Sequence, residues 1–448
     1  MRTLLLGISL AAAVCASAAV RATAAAPGTL AIRHVSVVDV TGGPTRADQT
    51  VLVQGNRIVA VGPAAGVRVP AGARVVDGSG KYLIPGLWDM HTHITYAHAG
   101  LSLMLANGVT GIRDMGAQRF ATAKGWRDSI AAGQMLGPRM RIASPVVENA
   151  RWLANVRRIP VYEPLLRERF GPTSPEEAVR WVDSVKALGA DHVKVRNWPA
   201  PEIAFALVTR AKERGLPVVA HANRPFPPRD VASYEHGIFP ALAVSDSERA
   251  TLFRGFAARG VAFVPTTVTW EGRLLPNDSL VARFDRARTP AYRYVPAAML
   301  QQWREEIEAR KFETPFDYPP LFAADLRNFR EMRALGIPLL TGADAPSIGL
   351  VPGFSLHDEL GRFVSVIGAT PLEALQAATL APARFMGMAD SVGSVQVGKV
   401  ADLVLLDADP LADIGNTRRI RAVIANGRLL DRAALDALLA EVERAPDR

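Results

Sequence analysis

The pentapeptide Asp89-Met90-His91-Thr92-His93 closes the apolar run Leu87-Trp88 with two imidazoles two residues apart. Side chains on an extended strand alternate faces, so Asp89, His91 and His93 share one side, where the two histidines can grip a single divalent ion. A lone His-x-His pair is a weak signal. Three more short apolar runs, however, end in comparable residues: Val218-Val219-Ala220 in His221, Tyr234-Glu235 in His236, and Leu340-Thr341-Gly342-Ala343 in Asp344. Alternation places Tyr234 on the face of His236. Four of the eight histidines and one carboxylate thus fall at strand-like termini. Any one of them alone reads as a satisfied core residue; the five together read as a metal site of nitrogen and oxygen ligands.

Lys194 belongs to the same pattern. In Asp191-His192-Val193-Lys194-Val195-Arg196 the valines take one face and His192, Lys194 and Arg196 the other. Valines suit a helix-packed outer face, which turns the lysine toward the histidines. Burial and nearby positive charge disfavour its ammonium, which in any case lacks a lone pair for a metal. Two readings follow: a lysine salt-bridged within the mouth, or one carboxylated by CO2 to a carbamate whose two oxygens bridge two ions. Arg196, two residues beyond, is placed either to pair with a substrate carboxylate or to neutralise Asp114 or another carboxylate of the mouth. Asp89, Arg113 and Asp114 are expected to support the ligands, His192 to be a core histidine, and His357, on a helix after the last strand, to be structural.

These residues need a scaffold that brings strand ends together. Between Pro85 and about Met388, eight short apolar runs alternate with helix-like stretches: Leu87 to His93, Val109 to Asp114, Met140 to Ser144, His192 to Arg196, Val218 to His221, Tyr234 to Ile238, Ala262 to Thr266 and Pro338 to Asp344. Eight such units predict a parallel (β/α)8 TIM barrel, whose active sites lie at the C-terminal strand ends. Glycine-punctuated β-segments precede the barrel and return after it, predicting a small β-sandwich built from both flanks. The expected division is 1–26 leader, 27–84 first part of the sandwich, 85–390 barrel, 391–433 second part, and 434–448 a terminal helix. The aromatic, proline-rich stretch from Trp270 to Asn328, with Tyr292, Tyr294, Trp303, Phe312, Phe316 and Tyr318, is expected to form either a lid or a packed helical insertion.

Composition narrows the function classes. The chain has 448 residues, 49% hydrophobic and 21% charged, in keeping with a large globular protein. Its formal net charge is +9, but the arginines are scattered, with no basic run interleaved with aromatics, which argues against nucleic acid. Arg2, the apolar stretch Leu4 to Ala19 and small residues through Ala26 form a secretory signal pattern cut near Ala24 to Ala26, with a retained anchor as the other reading. The single cysteine, Cys15, lies inside that leader, so an exported, periplasmic form would lack disulfides, thiolate ligands and a cysteine nucleophile.

His91 and His93, Lys194, His221, His236 and Asp344, in this order and each on its own strand, resemble the amidohydrolase superfamily. More narrowly they are similar to the imidazolonepropionase-like and Xaa-dipeptidase-like binuclear members. The tail is similar too: Gly393-Ser394-Val395, the run Gly398 to Asp407, and Asp409-Pro410-Leu411. So are Ala377-Ala378-Thr379 and Pro382-Ala383-Arg384 before it. The resemblance implies His91, His93 and Asp344 on one metal ion and His221 and His236 on a second, with carboxylated Lys194 bridging both. Imidazolonepropionases lack that lysine and use one metal, so Lys194 counts against their reaction.

The mechanism so implied is attack by a metal-bridging hydroxide, with Asp344 as the general base and His236 or Tyr234 assisting at the carbonyl. Zinc is the default ion, with manganese or cobalt also compatible. An amide bond of dipeptides or N-acyl amino acids is the expected target, and the partner a small molecule, with a homo-oligomer compatible. Competing readings are a binuclear lactonase or phosphotriesterase, a one-metal deaminase, and a non-catalytic binding protein. Against the deaminase stand Lys194 and the absence of a glutamate in Ala222-Asn223-Arg224 after His221; against the binding protein stands the complete ligand set.

Overall fold

The computed structural model describes residues 28–445, apart from 96, 117–118, 159–165, 167, 223–229, 238–244 and 311–316. The expected leader lies outside the described residues, as do Phe312 and Phe316. Five strands open the described chain: β1 Thr29–Val37, β2 Arg46–Gln54, β3 Arg57–Pro63, β4 Arg74–Asp77 and β5 Tyr82–Pro85. Nine follow: β6 Leu87–Thr92, β7 Val109–Asp114, β8 Arg139–Ile142, β9 Val146–Val147, β10 Arg169–Phe170, β11 Val193–Val195, β12 Val218–His221, β13 Ser233–Glu235 and β14 Ala262–Val264. Three close the chain: β15 Leu403–Leu406, β16 Ile420–Ala425 and β17 Arg428–Asp431.

The two flanks meet in one eight-stranded sheet, ordered β17-β16-β15-β5-β1-β2-β3 with β4 beside β1. Leu403 of β15 pairs with Pro85 of β5, which ties the end of the chain to the strand that leads into the barrel. Alternate residues of these strands bury Ile32, Val35, Val37, Val51, Val53 and Leu83 against Leu403, Leu405 and Ile424. The flank expected as a β-sandwich is therefore hydrogen-bonded as a continuous sheet with its own core. Arg432–Arg444 follows as a helix capped by Asp431.

The middle strands are parallel and fall into two ladders, β6-β7-β8 and β10-β9-β11-β12-β13-β14. A bridge from Ala143 to His192 joins them on one side. On the other, residues 338–345 bridge Leu339 to Phe263 and Ala345 to Thr92. The predicted eighth strand is thus present as single bridges rather than a ladder. Leu340 donates to Phe263 and Met90 to Thr341, each through its backbone N–H, before the chain turns at Asp344. The short pair β9 and β10, which extends the third strand, has no counterpart in the sequence reading.

Helices cover the outside, and their ends carry the expected signals. Pro175–Leu188 begins with Ser174 accepting from the Glu177 N–H and ends at Gly189 with φ 94°. Asp246–Arg259 begins with a Ser245/Glu248 capping box. Val193, Val195, Val218, Ala220, Tyr234 and Phe263 are buried in the core that these helices share with the barrel. After β14 the insertion forms a core of its own, with Phe284, Tyr292, Tyr294 and Trp303 packed against Ala99, Leu103 and Val351. The aromatics of this stretch therefore serve packing first. Its Tyr294 to Met299 edge also lines an apolar cleft that reaches His93. No helix among the described residues is long and apolar enough to cross a membrane.

Candidate metal centre

The strand ends bring the predicted residues together. His91, fully buried at the end of β6, places Nε2 3.3 Å from Asp344 Oδ1, and His93 Nε2 lies 3.2 Å from the same oxygen. The His236 ring centre is 4.5 Å from that of His91 and 4.8 Å from that of His221. Ligand-capable atoms of His91, His236 and Asp344 all lie within 4.8 Å of one another. Lys194 is buried, with Nζ lacking any hydrogen-bond partner.

Three of the positioning turns use an uncommon backbone. His236, Thr266 and Asp344 have φ of 65°, 46° and 54°, a left-handed region that costs a non-glycine residue about 1–3 kcal/mol and clusters at functional sites. Hydrogen bonds hold two of them: the His236 N–H donates to Val264 and the Asp344 N–H to His91. Thr266 Oγ1 lies 2.7 Å from His236 Nδ1, which leaves Nε2 of that ring for another partner. Close approach matters as well. A Cβ on Gly342 would lie 2.7 Å from both the backbone nitrogen and Cβ of His91.

The left-handed His236 overturns one expectation. Strict alternation put Tyr234 with His236, but the strand ends at Glu235 and the turn swings His236 back into the mouth. Ser233 and Glu235 face the interior instead. Tyr234 faces the helices, its ring 5.5 Å from those of both Phe256 and Phe263, so its hydroxyl is outside the site. Burial pushes its ionisation upward. Arg196 lies beside another carboxylate of the mouth, one of the two placements expected for it. Its side chain is 46% exposed at the rim, 3.7 Å from the buried Glu148, with its guanidinium over Trp152. The mouth carboxylate beside it is thus Glu148 rather than Asp114, which accepts from the backbone N–H groups of Ile94 and Gly116.

Sequence reasoning missed Glu235 as an interior residue. Its Oε2 lies 2.7 Å from His91 Nδ1, and its Oε1 accepts from Arg113 Nη2 at 2.8 Å. The available signal was its position: an acid next to an aromatic on a buried strand gives the aromatic to the helices and the acid to the interior. Glu148, which also pairs with Arg169 and Asn197, carried no comparable signal. The supporting residues fall as expected. Asp89 accepts from the backbone N–H groups of His91 and Ala343. His192 is buried, and His357 sits between Thr417 and the Asn107 carbonyl.

The electrostatics suit a cation. Burial holds His93, His221 and His236 below the usual imidazole range, keeping their lone pairs free. Burial opposes ionisation of Asp344, but the approach of His91 and His93 outweighs it and keeps the carboxyl well below its usual range. Burial pulls Lys194 down to about 8 against the pull of Glu235. His91 Nε2 and Lys194 Nζ are among the buried polar atoms of the described residues that lack hydrogen bonds. Each such orphan costs about 1–3 kcal/mol unless something fills the gap. Neutral imidazoles, an ionised carboxylate and two unmet nitrogens in one mouth fit a divalent ion.

Histidines and a carboxylate gathered at the C-terminal ends of parallel barrel strands stand where active sites of such barrels lie. The amidohydrolase family model matches residues 82–430, and the chain belongs to that family. It is 26% identical to an adenine deaminase of Rubrobacter xylanophilus over 93% of its own length, and spans 59% of that relative. It is 23% identical to an imidazolonepropionase of Pseudomonas savastanoi pv. phaseolicola, over 81% of this chain and 88% of the relative. Among solved structures, a candidate prolidase from Bifidobacterium longum is similar with a TM-score of 0.67 and 26% identity, covering 93% of this chain and all of that one.

Proposed function

We propose that the protein hydrolyses an amide bond of dipeptides or N-acyl amino acids, using two divalent ions, zinc by default, at the barrel mouth. The observation that carries this reading is the pairing of two orphaned buried nitrogens, His91 Nε2 and Lys194 Nζ, with a His-and-Asp cluster on neighbouring strand ends. His91, His93 and Asp344 would hold one ion, His221 and His236 the other, and Lys194, carboxylated by CO2, would bridge them. When bound, such ions acidify a water and polarise a carbonyl.

The chain's own residues supply the rest. Asp344, 3.2 Å from His93 Nε2 and held at Oδ2 by the Ser347 hydroxyl, takes the proton of the attacking water and returns it to the leaving nitrogen. His236, fixed through Thr266, stands at the carbonyl side of the mouth. Tyr234 has no part in the reaction. Arg196, half-exposed at the rim beside Glu148, pairs with the substrate carboxylate. The resemblance of the chain to a candidate prolidase supports a peptide-like substrate.

A substrate panel tests the proposal. Dipeptides and N-acyl amino acids are expected to be turned over by the wild type and not by Asp344→Asn. Turnover confined to lactones, phosphotriesters or adenine would contradict it. Export is proposed from the leader pattern alone, and N-terminal sequencing of the protein from the cell envelope should begin near Ala24 to Ala26.

A further inference from the structure

Beneath the proposed ligands lies a buried ion pair that neither the reaction nor the metal set uses. Arg113, on β7, is 2% exposed and crosses the barrel interior. Its Nε donates to the Met90 carbonyl on β6 at 2.7 Å, and its Nη1 to Ser233 Oγ on β13 at 2.9 Å. Its Nη2 reaches both oxygens of Glu235 at 2.8 and 3.0 Å. The Ser233 hydroxyl donates to Glu235 Oε1 at 2.6 Å, and the ring of Phe385 lies 5.3 Å from the guanidinium. Every strong contact of Glu235 is a donor except the one still to be assigned, His91 Nδ1 at 2.7 Å.

A carboxylate held ionised by a guanidinium can only accept, so the proton of that last contact must reside on Nδ1 of His91. A neutral imidazole with its proton on Nδ1 has its lone pair on Nε2. This matters because Nε2 is 3.3 Å from Asp344 Oδ1, a carboxylate that would otherwise invite a proton there. A His91 protonated on Nε2 would pair with Asp344 and close the metal position with a hydrogen.

We infer that Glu235, clamped by Arg113 and Ser233, is a positioning residue that locks His91 in the tautomer able to bind metal and keeps it from pairing with Asp344. The inference rests on the reading of His91 as a ligand. It accounts for a costly feature, since a buried ion pair seldom adds stability over apolar residues of similar size. The clamp joins β6, β7 and β13, so the ring orientation is set by three strands rather than by a rotamer.

The double variant Arg113→Met/Glu235→Leu removes both charges together, so neither is left buried alone. Zinc affinity, read by chelator competition on the purified full chain, is expected to fall roughly 10–100-fold. Activity at saturating zinc should largely recover, a split that a purely structural defect would not give. Nitrogen-15 NMR of the chelated wild type should find the His91 proton on Nδ1. Wild-type zinc affinity in a folded double variant, or an Nε2–H tautomer in the wild type, would overturn the inference. Should the double variant fail to fold, the tautomer decides alone. A wild type that binds no zinc would instead remove the metal reading beneath it.

Discussion

Gly342 should not tolerate a side chain, because its close neighbours include the backbone of His91. An alanine there would set its Cβ 2.7 Å from His91 N, His91 Cβ and Val264 Cγ1. That is about 0.8 Å inside ordinary carbon contact. The Val264 methyl can rotate, but the His91 nitrogen belongs to β6, and moving it moves the ligand. Overpacking of a tight core costs about 1–3 kcal/mol, so Gly342→Ala should lower the denaturant midpoint by that equivalent and weaken metal retention on dialysis. Gly125, in the helix Phe120–Ala131 with nothing within 4 Å of its would-be Cβ, is the control. Gly125→Ala should be neutral or stabilise by about 1 kcal/mol. Equal midpoints and equal metal retention for Gly342→Ala and the wild type would refute the claim that this close approach positions His91.

Other consequences follow from individual placements. Tyr234→Phe should leave kcat and metal content unchanged and cost no more than about 1 kcal/mol of stability; a large loss of kcat would return the hydroxyl to the site. Arg196→Met should raise KM roughly fivefold for substrates with a free carboxylate, as about 1 kcal/mol at a half-exposed pair implies, and leave capped analogues alone. An equal rise for both would end the recognition role. Burial holds His357 down at about 3, so the folded state refuses a proton that the unfolded chain takes up below its ordinary 6.5. Stability from this group is therefore lost as pH falls from 6.5 toward 3, and the advantage of wild type over His357→Gln in urea should be smaller at pH 5 than at pH 7.5. A difference independent of pH would show that the imidazole is not held neutral.

How much was legible depended on how local the information is. The His91/His93 pair, His221 and Asp344 could be read because each ends a short apolar run, and parallel barrels put such ends in one place. The alternation of Val193, Lys194 and Val195 correctly turned the lysine away from the helices. Alternation failed at Tyr234 because it holds only while the strand lasts, and the left-handed turn at His236 lies one residue past the end of β13. Glu235 and Arg113 meet across 122 residues and Glu235 and His91 across 144, separations at which no periodicity carries a signal. The Glu148 partnership with Arg196 was invisible for the same reason. The continuous flank sheet depends on Leu403 pairing with Pro85, a register set by the packed core rather than by any one segment.

A pair of divalent ions is proposed to be held by His91, His93, Lys194, His221, His236 and Asp344. Elemental mass spectrometry of the purified protein, grown with added zinc and bicarbonate, measures it directly. Close to two ions per chain are expected, falling toward one or fewer in Lys194→Ala. One ion per chain in the wild type, unchanged by Lys194→Ala, would contradict the bridged pair, and none would contradict the metal centre itself.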